Sequence, residues 1–122
     1  MPIIYEDAEA GVVIHHADIF SVLPTLDANS IDACVTDPPY GIAFMGKDWD
    51  DFSAAGEVGA ACYAVAFQRW CERWARELYR VLRPGGYVLA FGGTRMFHRL
   101  AVGLEDAGFE IRDTLSWLYG SG

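Results

Sequence analysis

A chain of 122 residues with a formal net charge of −8, 52% hydrophobic and 21% charged, has the composition of one globular domain around one core. That composition excludes a disordered chain, and the longest apolar runs fall far short of the ~20 residues of a membrane span. "MPIIYEDAEAG" has no basic stretch followed by an apolar one, so no signal peptide is expected and the cytoplasm is the expected compartment. The acidic balance is unusual for a nucleic-acid binder. Most basic residues fall between Arg69 and Arg112, and Asp48, Asp50 and Asp51 form an acidic cluster.

Taken in order, "GVVIHHAD" (11–18) reads as a β-branched strand opened by Gly11 and closed by Asp18. "IFSVLPTL" (19–26) reads as a helix that Pro24 keeps short, and "DANS" (27–30) as a turn. "IDACVT" (31–36) is nearly continuous in apolar character, which suits a strand buried on both faces of a parallel sheet. Residues 41–56 are punctuated by glycine and read as a loop of the length that tends to carry function. A long helix is predicted over 58–82, because Phe67, Trp70, Cys71, Trp74, Leu78, Val81 and Leu82 share one helical face. "RPGG" (83–86) stops it, and "YVLAF" (87–91) makes a third strand ending at Gly92 and Gly93. Thr94 is the expected N-cap of a helix over 95–107, with Gly108 as its C′ residue. "FEIRDTLSWLY" (109–119) alternates like a fourth strand. Strands alternating with helices predict an α/β domain over 1–122, with a mainly parallel sheet and its ligand site beyond the carboxyl ends of the strands. Asp18, Asp37 and the Gly92–Gly93 pair all sit at predicted strand ends, so they are candidates for one rim.

Three cysteines (Cys34, Cys62, Cys71) without paired spacing argue against a disulfide framework and a zinc site, and Cys34 reads as a core residue. His15, His16 and His98 have no metal-ligand spacing, so no metal is expected.

The informative stretch is "VTDPPYG", residues 35–41. Pro38 and Pro39 lack N–H donors and fix φ near −65°, and Pro39 drives Pro38 out of the helical region. The segment is therefore stiff and extended. Asp37 and the Pro38 carbonyl become two hydrogen-bond acceptors at fixed separation, and Tyr40 adds a flat aromatic with a polar tip. Such a trio suits a planar ring bearing an exocyclic NH₂. Both N–H groups can be accepted while the ring stacks on Tyr40. Asp37 can offset the charge that develops if that nitrogen attacks an electrophile. A nucleobase could present its amine this way only when flipped out of a duplex.

"TDPPYG" resembles the catalytic motif of the DNA amino-methyltransferases. "ADIFSVLPTLDANSIDACVTDPPYG", "WARELYRVLRPGGYVLAFGG" and "GFEIRDTLSWLYGSG" are similar to segments of that family in the same order, so the resemblance covers the chain from Gly11 onward. It implies a three-layer Rossmann-like methyltransferase fold. It also implies an S-adenosylmethionine cofactor, a DNA substrate, and transfer of a methyl group to adenine N6 or cytosine N4. Aspartate as the first motif residue favours adenine. The resemblance further implies that Asp37 and Pro38, with Pro39 as stiffener, accept the target amine and that Tyr40 stacks on the base. Asp37 and Asp18 would approach the cofactor, Asp18 reading equally as a helix N-cap. Gly92 and Gly93 would leave room for substrate, or simply turn the chain. Phe44, Met45 and Lys47 would approach DNA, Lys47 reading also as a solvated loop charge.

Only 36 residues precede Asp37, which matches the permuted order in which the catalytic half comes first. On that reading the target-recognition region and the glycine-rich cofactor loop follow this segment. The sheet here is incomplete, and the chain is a catalytic half, inactive or nearly so alone. An open sheet edge or apolar face would then favour self-association or docking of a completing C-terminal half. Two rival readings are methylation of an amine in RNA or protein by a similar motif, and a non-catalytic remnant that binds DNA or a partner.

Overall fold

The structure, a computed structural model, describes residues 3–42, 47 and 63–121. Its elements run β1 (Ile3–Asp7), β2 (Val12–His15), α1 (Ile19–Val22), β3 (Ile31–Thr36), α2 (Tyr63–Val81), β4 (Leu82–Ala90) and α3 (Phe97–Asp106). Among the described residues, no helix is long and apolar enough to cross a membrane.

The first strand comes from "IIYED", which the sequence reading passed over. β1 pairs antiparallel with β2, from Asp7 opposite Val12 to Ile3 opposite His15. The Asp7 carboxylate accepts the backbone N–H groups of Glu9 and Ala10 at 3.0 Å each, and Gly11 takes a φ of +69°. These bonds, that from Ala10 foremost, hold the Asp7 carboxyl below its usual range. The 11–18 strand expected in the parallel sheet is therefore part of a separate hairpin. Its neighbour in sequence lies one tight turn away, so local pairing wins over a distant partner.

β3 and β4 form the parallel pair. Parallel strands need a crossover, and α2 supplies it. "RPGG" does not stand apart as a turn between helix and strand. β4 begins at Leu82, directly after α2, and the register jumps from Ile31–Leu82 to Ala33–Tyr87. The surplus residues of β4 bulge out at this point. Gly85 has a φ of +83° there, and a β-carbon on Gly86 would lie 2.9 Å from the Asp32 and Arg83 carbonyl oxygens. Arg83 pins the bulge by donating to the Asn29 carbonyl at 3.2 Å and to the Asp32 carboxylate. One helical turn earlier, Arg80 donates to the carbonyls of Leu26 (3.0 Å) and Leu23 (2.9 Å), tying α2 to the 3₁₀ turn Leu23–Thr25 that Pro24 imposes after α1.

The core lies where α2 meets α3 and the inner face of the strand pair. Ala66, Phe67, Cys71, Trp74, Ala75, Leu78 and Val81 of α2 are buried with Leu100 and Leu104 of α3, and Cys34, Val88 and Ala90 pack against them. The predicted helical face is thus the buried one. Trp70 stacks on Phe67 and meets Phe20 edge-on, docking α1 on α2. The helices approach closely at Gly103, where a β-carbon would sit 2.8 Å from Cys71 Cβ.

Three expectations need correction. β3 and β4 are not buried on both faces. Cys34, Thr36, Val88 and Ala90 turn inward, whereas Val35, Tyr87, Leu89 and Phe91 remain exposed, Val35 at 71%. The reason is that α2 and α3 cover one side only. Residues 109–119 form no strand: they make no ladder with β3 or β4, although each strand of that two-stranded sheet has an unpaired edge among the described residues. Leu115, Trp117, Leu118 and Tyr119 are exposed, with Trp117 touching Phe91 edge-on. α3 starts at Phe97 with Met96 as its N-cap, not Thr94. The Gly93 carbonyl accepts from Met96 N (3.2 Å) and Phe97 N (2.9 Å), so the backbone itself completes the turn. The C-terminus matches its prediction. Gly108 has a φ of +118°, its N–H bonds to the Glu105 carbonyl, and Phe109 N–H bonds to the Leu104 carbonyl, a Schellman closure.

Burial pushes the Cys71 thiol up to about 12 from its ordinary value of 9.0. The folded state therefore holds this proton more tightly than the unfolded state does. Its contribution to stability is complete below the unfolded value and is lost as pH rises through the folded one. Urea midpoints are expected to decline from about pH 9 upward, with a shallower slope in Cys71→Ala. Gly103→Ala should lower stability by about 1–3 kcal/mol at neutral pH through overpacking, read by the same unfolding measurement.

Candidate functional site

The strand pair carries the site at its carboxyl ends. The ladder runs one step past β4, with Phe91 N–H donating to the Thr36 carbonyl at 3.0 Å. Asp37 and Gly92 follow side by side. Two segments 55 positions apart in sequence therefore meet at one rim, as the strand-end reading expects of them, whereas Asp18, its third candidate, follows β2 of the separate hairpin.

Within the motif, the Tyr40 hydroxyl donates to Asp37 Oδ1 at 2.8 Å. This bond raises the Tyr40 phenol above its ordinary value, with burial adding to the effect, because ionised tyrosine would face the carboxylate without a proton between them. Asp37 is exposed, while Pro38, Pro39 and Tyr40 are half-buried. Among the described residues, Asp37 Oδ2 and the Pro38 carbonyl accept no hydrogen bond, so two acceptors remain open. The next residue fixes the loop to the core. Gly41 is buried with a φ of +71°, and a β-carbon there would lie 2.6 Å from the ring of Phe67. Only glycine lets the chain turn this way and lie flat on that ring.

The two rim glycines have different neighbours. A β-carbon on Gly93 would lie 3.5 Å from the Tyr40 ring, so Gly93 borders the aromatic platform. Gly92 faces α3 instead, where a β-carbon would come within 3.2 Å of Leu100 and 3.3 Å of Phe97. Its smallness serves helix packing. Asp18 is the N-cap of α1, accepting Phe20 N–H at 2.8 Å through Oδ1, and its backbone carbonyl accepts from Ser21 and Val22. The cap alternative is thus realised. Lys47 is exposed, and Phe44 and Met45 lie outside the described residues. Among the described residues, no group of three His, Cys, Asp or Glu could hold a metal ion.

Beside the motif opens a cavity of about 340 Å³ lined by Gly41, Ile42, Tyr63, Arg95 and Met96. Sequence reasoning did not single out Ile42, Tyr63, Arg95 or Met96. The available signal was position: Arg95 follows the rim glycines by two residues, and Ile42 follows the motif by two.

These features define a mixed α/β protein with paired acceptors and an aromatic platform at the carboxyl ends of two parallel strands. Comparison with known proteins gives the class a family. The DNA methylase family matches residues 31–121, and the chain belongs to it. The Type II methyltransferase M.HindIII of Haemophilus influenzae is 32% identical over 131 residues, covering 85% of this chain and 42% of the relative. M.HpaI of Haemophilus parainfluenzae is 31% identical over 110 residues, covering 87% of this chain and 31% of the relative. M2.DpnII of Streptococcus pneumoniae is 27% identical over 119 residues, covering 87% and 41%. The chain thus spans less than half the length of these curated relatives.

The Asp37–Tyr40 bond can be tested optically. In an alkaline difference titration of the chain against Tyr40→Phe, the Tyr40 phenol is expected to ionise above its ordinary value of 10.0. Asp37→Asn should move that ionisation back toward the ordinary value. An unshifted phenol in the parent chain would contradict the bond.

Proposed function

We propose that this chain is the catalytic half of an S-adenosylmethionine-dependent DNA methyltransferase acting on an exocyclic base amine, adenine N6 by preference. The observation that carries this reading is the pairing of Asp37 with Tyr40 at the strand ends, with two acceptors still open beside an aromatic ring. The flipped base would stack on Tyr40. Its amine would donate one hydrogen to Asp37 Oδ2 and the other to the Pro38 carbonyl. Hydrogen bonds to both N–H groups draw the nitrogen toward a pyramidal shape and turn its lone pair out of the ring. Asp37 then offsets the charge gained as the nitrogen forms its new bond.

The donor set fits the proposed cofactor in chemistry. Asp37 at the rim suits a cationic sulfonium, and the second carboxylate oxygen of Asp18, left over from capping, suits a ribose hydroxyl or an adenine amine. When bound, S-adenosylmethionine supplies the methyl group. The chain's own groups hold and orient the amine. We also propose that the full fold is the three-layer Rossmann-like arrangement, in which a second layer covers Val35, Tyr87, Leu89 and Phe91. On that view a completing half, or a second copy, occupies the open face, and the chain alone transfers little.

The test is transfer of labelled methyl to mixed-sequence DNA, by this chain and by this chain completed with the C-terminal part of a relative. Asp37→Ala should reduce transfer by at least about 100-fold, and nucleoside mass spectrometry should find N6-methyladenine. Methylcytosine as product would reverse the base preference, and transfer indifferent to Asp37 would end the proposal. We further propose that transfer is direct, with no covalent enzyme intermediate, so Cys34→Ala in the completed enzyme should keep its activity wherever it keeps its fold.

A further inference from the structure

Among the described residues, the wall of the cavity beside the motif carries one charge. Ile42, Tyr63 and Met96 make it largely apolar, and Arg95 brings a guanidinium. Among the described residues, Arg95 has neither an ion pair nor a hydrogen bond. Arg76, Arg80, Arg83 and Arg112 are all paired with carboxylates, on Glu72, Glu77, Asp32 and Glu110. Arg99 donates to Gln68. Among the described residues Arg69 and Lys47 are also without an ion pair or hydrogen bond, so what sets the exposed Arg95 apart is its place on the cavity wall. It is also close to the chemistry. Gly41 of the cavity wall directly follows Tyr40, and Gly93, which lies against the Tyr40 ring, starts the turn that carries Arg95 and Met96. Nothing nearby on α3 competes for the guanidinium, since its first turn holds no acidic residue and no side chain caps it.

Described walls that are largely apolar, with the Tyr63 hydroxyl and one fork of N–H donors as their polar side-chain groups, suit a ligand with a carbon-rich body and an anionic group. A nucleotide has that make-up: a sugar with a phosphate attached. Arginine binds phosphate oxygens through two parallel N–H groups. We propose that Arg95 clamps a DNA phosphodiester next to the extruded base, with the sugar against Ile42, Tyr63 and Met96. This rests on the methyltransferase reading and deepens it. The contact fixes the register of the strand on the enzyme and carries no base information.

The first probe is deoxyadenosine 5′-monophosphate against deoxyadenosine, each titrated into this chain and followed by NMR. The parent chain should prefer the phosphorylated ligand by about tenfold, Arg95→Gln should bind both alike, and Arg95→Lys should recover part of the preference. With duplex DNA, Arg95→Gln should bind about tenfold more weakly, with a salt slope smaller by about one. Binding of S-adenosylmethionine should not change. Equal binding of the two small ligands by the parent chain would overturn the clamp, as would an unchanged salt slope. Weakened cofactor binding with intact DNA binding would also overturn it, by assigning Arg95 to the cofactor's carboxylate. The two proposals fail separately. Methyl transfer that is indifferent to Arg95 removes the clamp alone. A phosphate preference that depends on Arg95, in a completed enzyme that transfers no methyl, removes the methyltransferase reading alone.

Discussion

Everything at the site depends on the parallel pairing of β3 with β4. The Asp-Pro-Pro-Tyr segment and the glycine pair are far apart in the chain, and no local interaction would join them. They meet because Thr36 and Ala90 are register partners and both strands end there. That register is itself set at the opposite end, where the bulge after Leu82 takes up the surplus residues and Arg83 holds it to Asn29 and Asp32. Since side chains alternate with a period of two, a slip of one residue would turn Cys34, Val88 and Ala90 out of the core and move Asp37 away from the rim. The polar contacts of Arg83 and the chemistry at Asp37 thus belong to one geometric chain across six residues of β3.

At the rim, the prolines and Gly41 divide the work. Pro38 and Pro39 stiffen the segment but do not fix where it points. Direction comes from Gly41, whose positive φ lets the chain lie flat on the buried Phe67 ring. The loop is therefore anchored to the α2 core one residue after the aromatic platform. Tyr40 holds the Asp37 carboxylate by its Oδ1, which restricts the carboxylate to one rotation and leaves Oδ2 as the oxygen that can meet a ligand. The tyrosine is thus both a ring surface and a brace for its neighbour.

Much of this was legible in the sequence, and the failures share a cause. β3 was read at its observed limits because a β-branched run between a turn and a proline has few alternatives. The buried face of α2 was read correctly from Phe67 to Val81 because six apolar positions at helical spacing leave little freedom, while Leu82, the seventh, opens β4. The strand-end rim followed from the alternation of strands and helices. The missed features depend on partners that no local pattern encodes. "IIYED" was overlooked because its pairing with β2 emerges only when the two are seen as one hairpin. Residues 109–119 alternate as a strand should, yet alternation is not pairing, and the segment joins neither edge of the β3–β4 pair. Thr94 has the right chemistry for a cap, but the Gly93 carbonyl had already taken the turn. The Tyr40–Asp37 bond was not foreseen because the reading gave each residue a separate role.

The open face of the strand pair bears on the acidic charge. The exposed side chains there are apolar, so they gain nothing from a charged partner and much from a covering layer. The surplus acids cannot then be explained as preparation for that contact. They make nonspecific attraction of a polyanion by this chain weak. Taken alone, these 122 residues do not gather DNA by their overall field. Any hold on a phosphate backbone must come from single cations freed from neighbouring carboxylates and placed at the site. Most of the described arginines are taken up by acids or carbonyls within the fold. That leaves local placement, not net charge, as the property by which a nucleic-acid contact would be recognised in this chain.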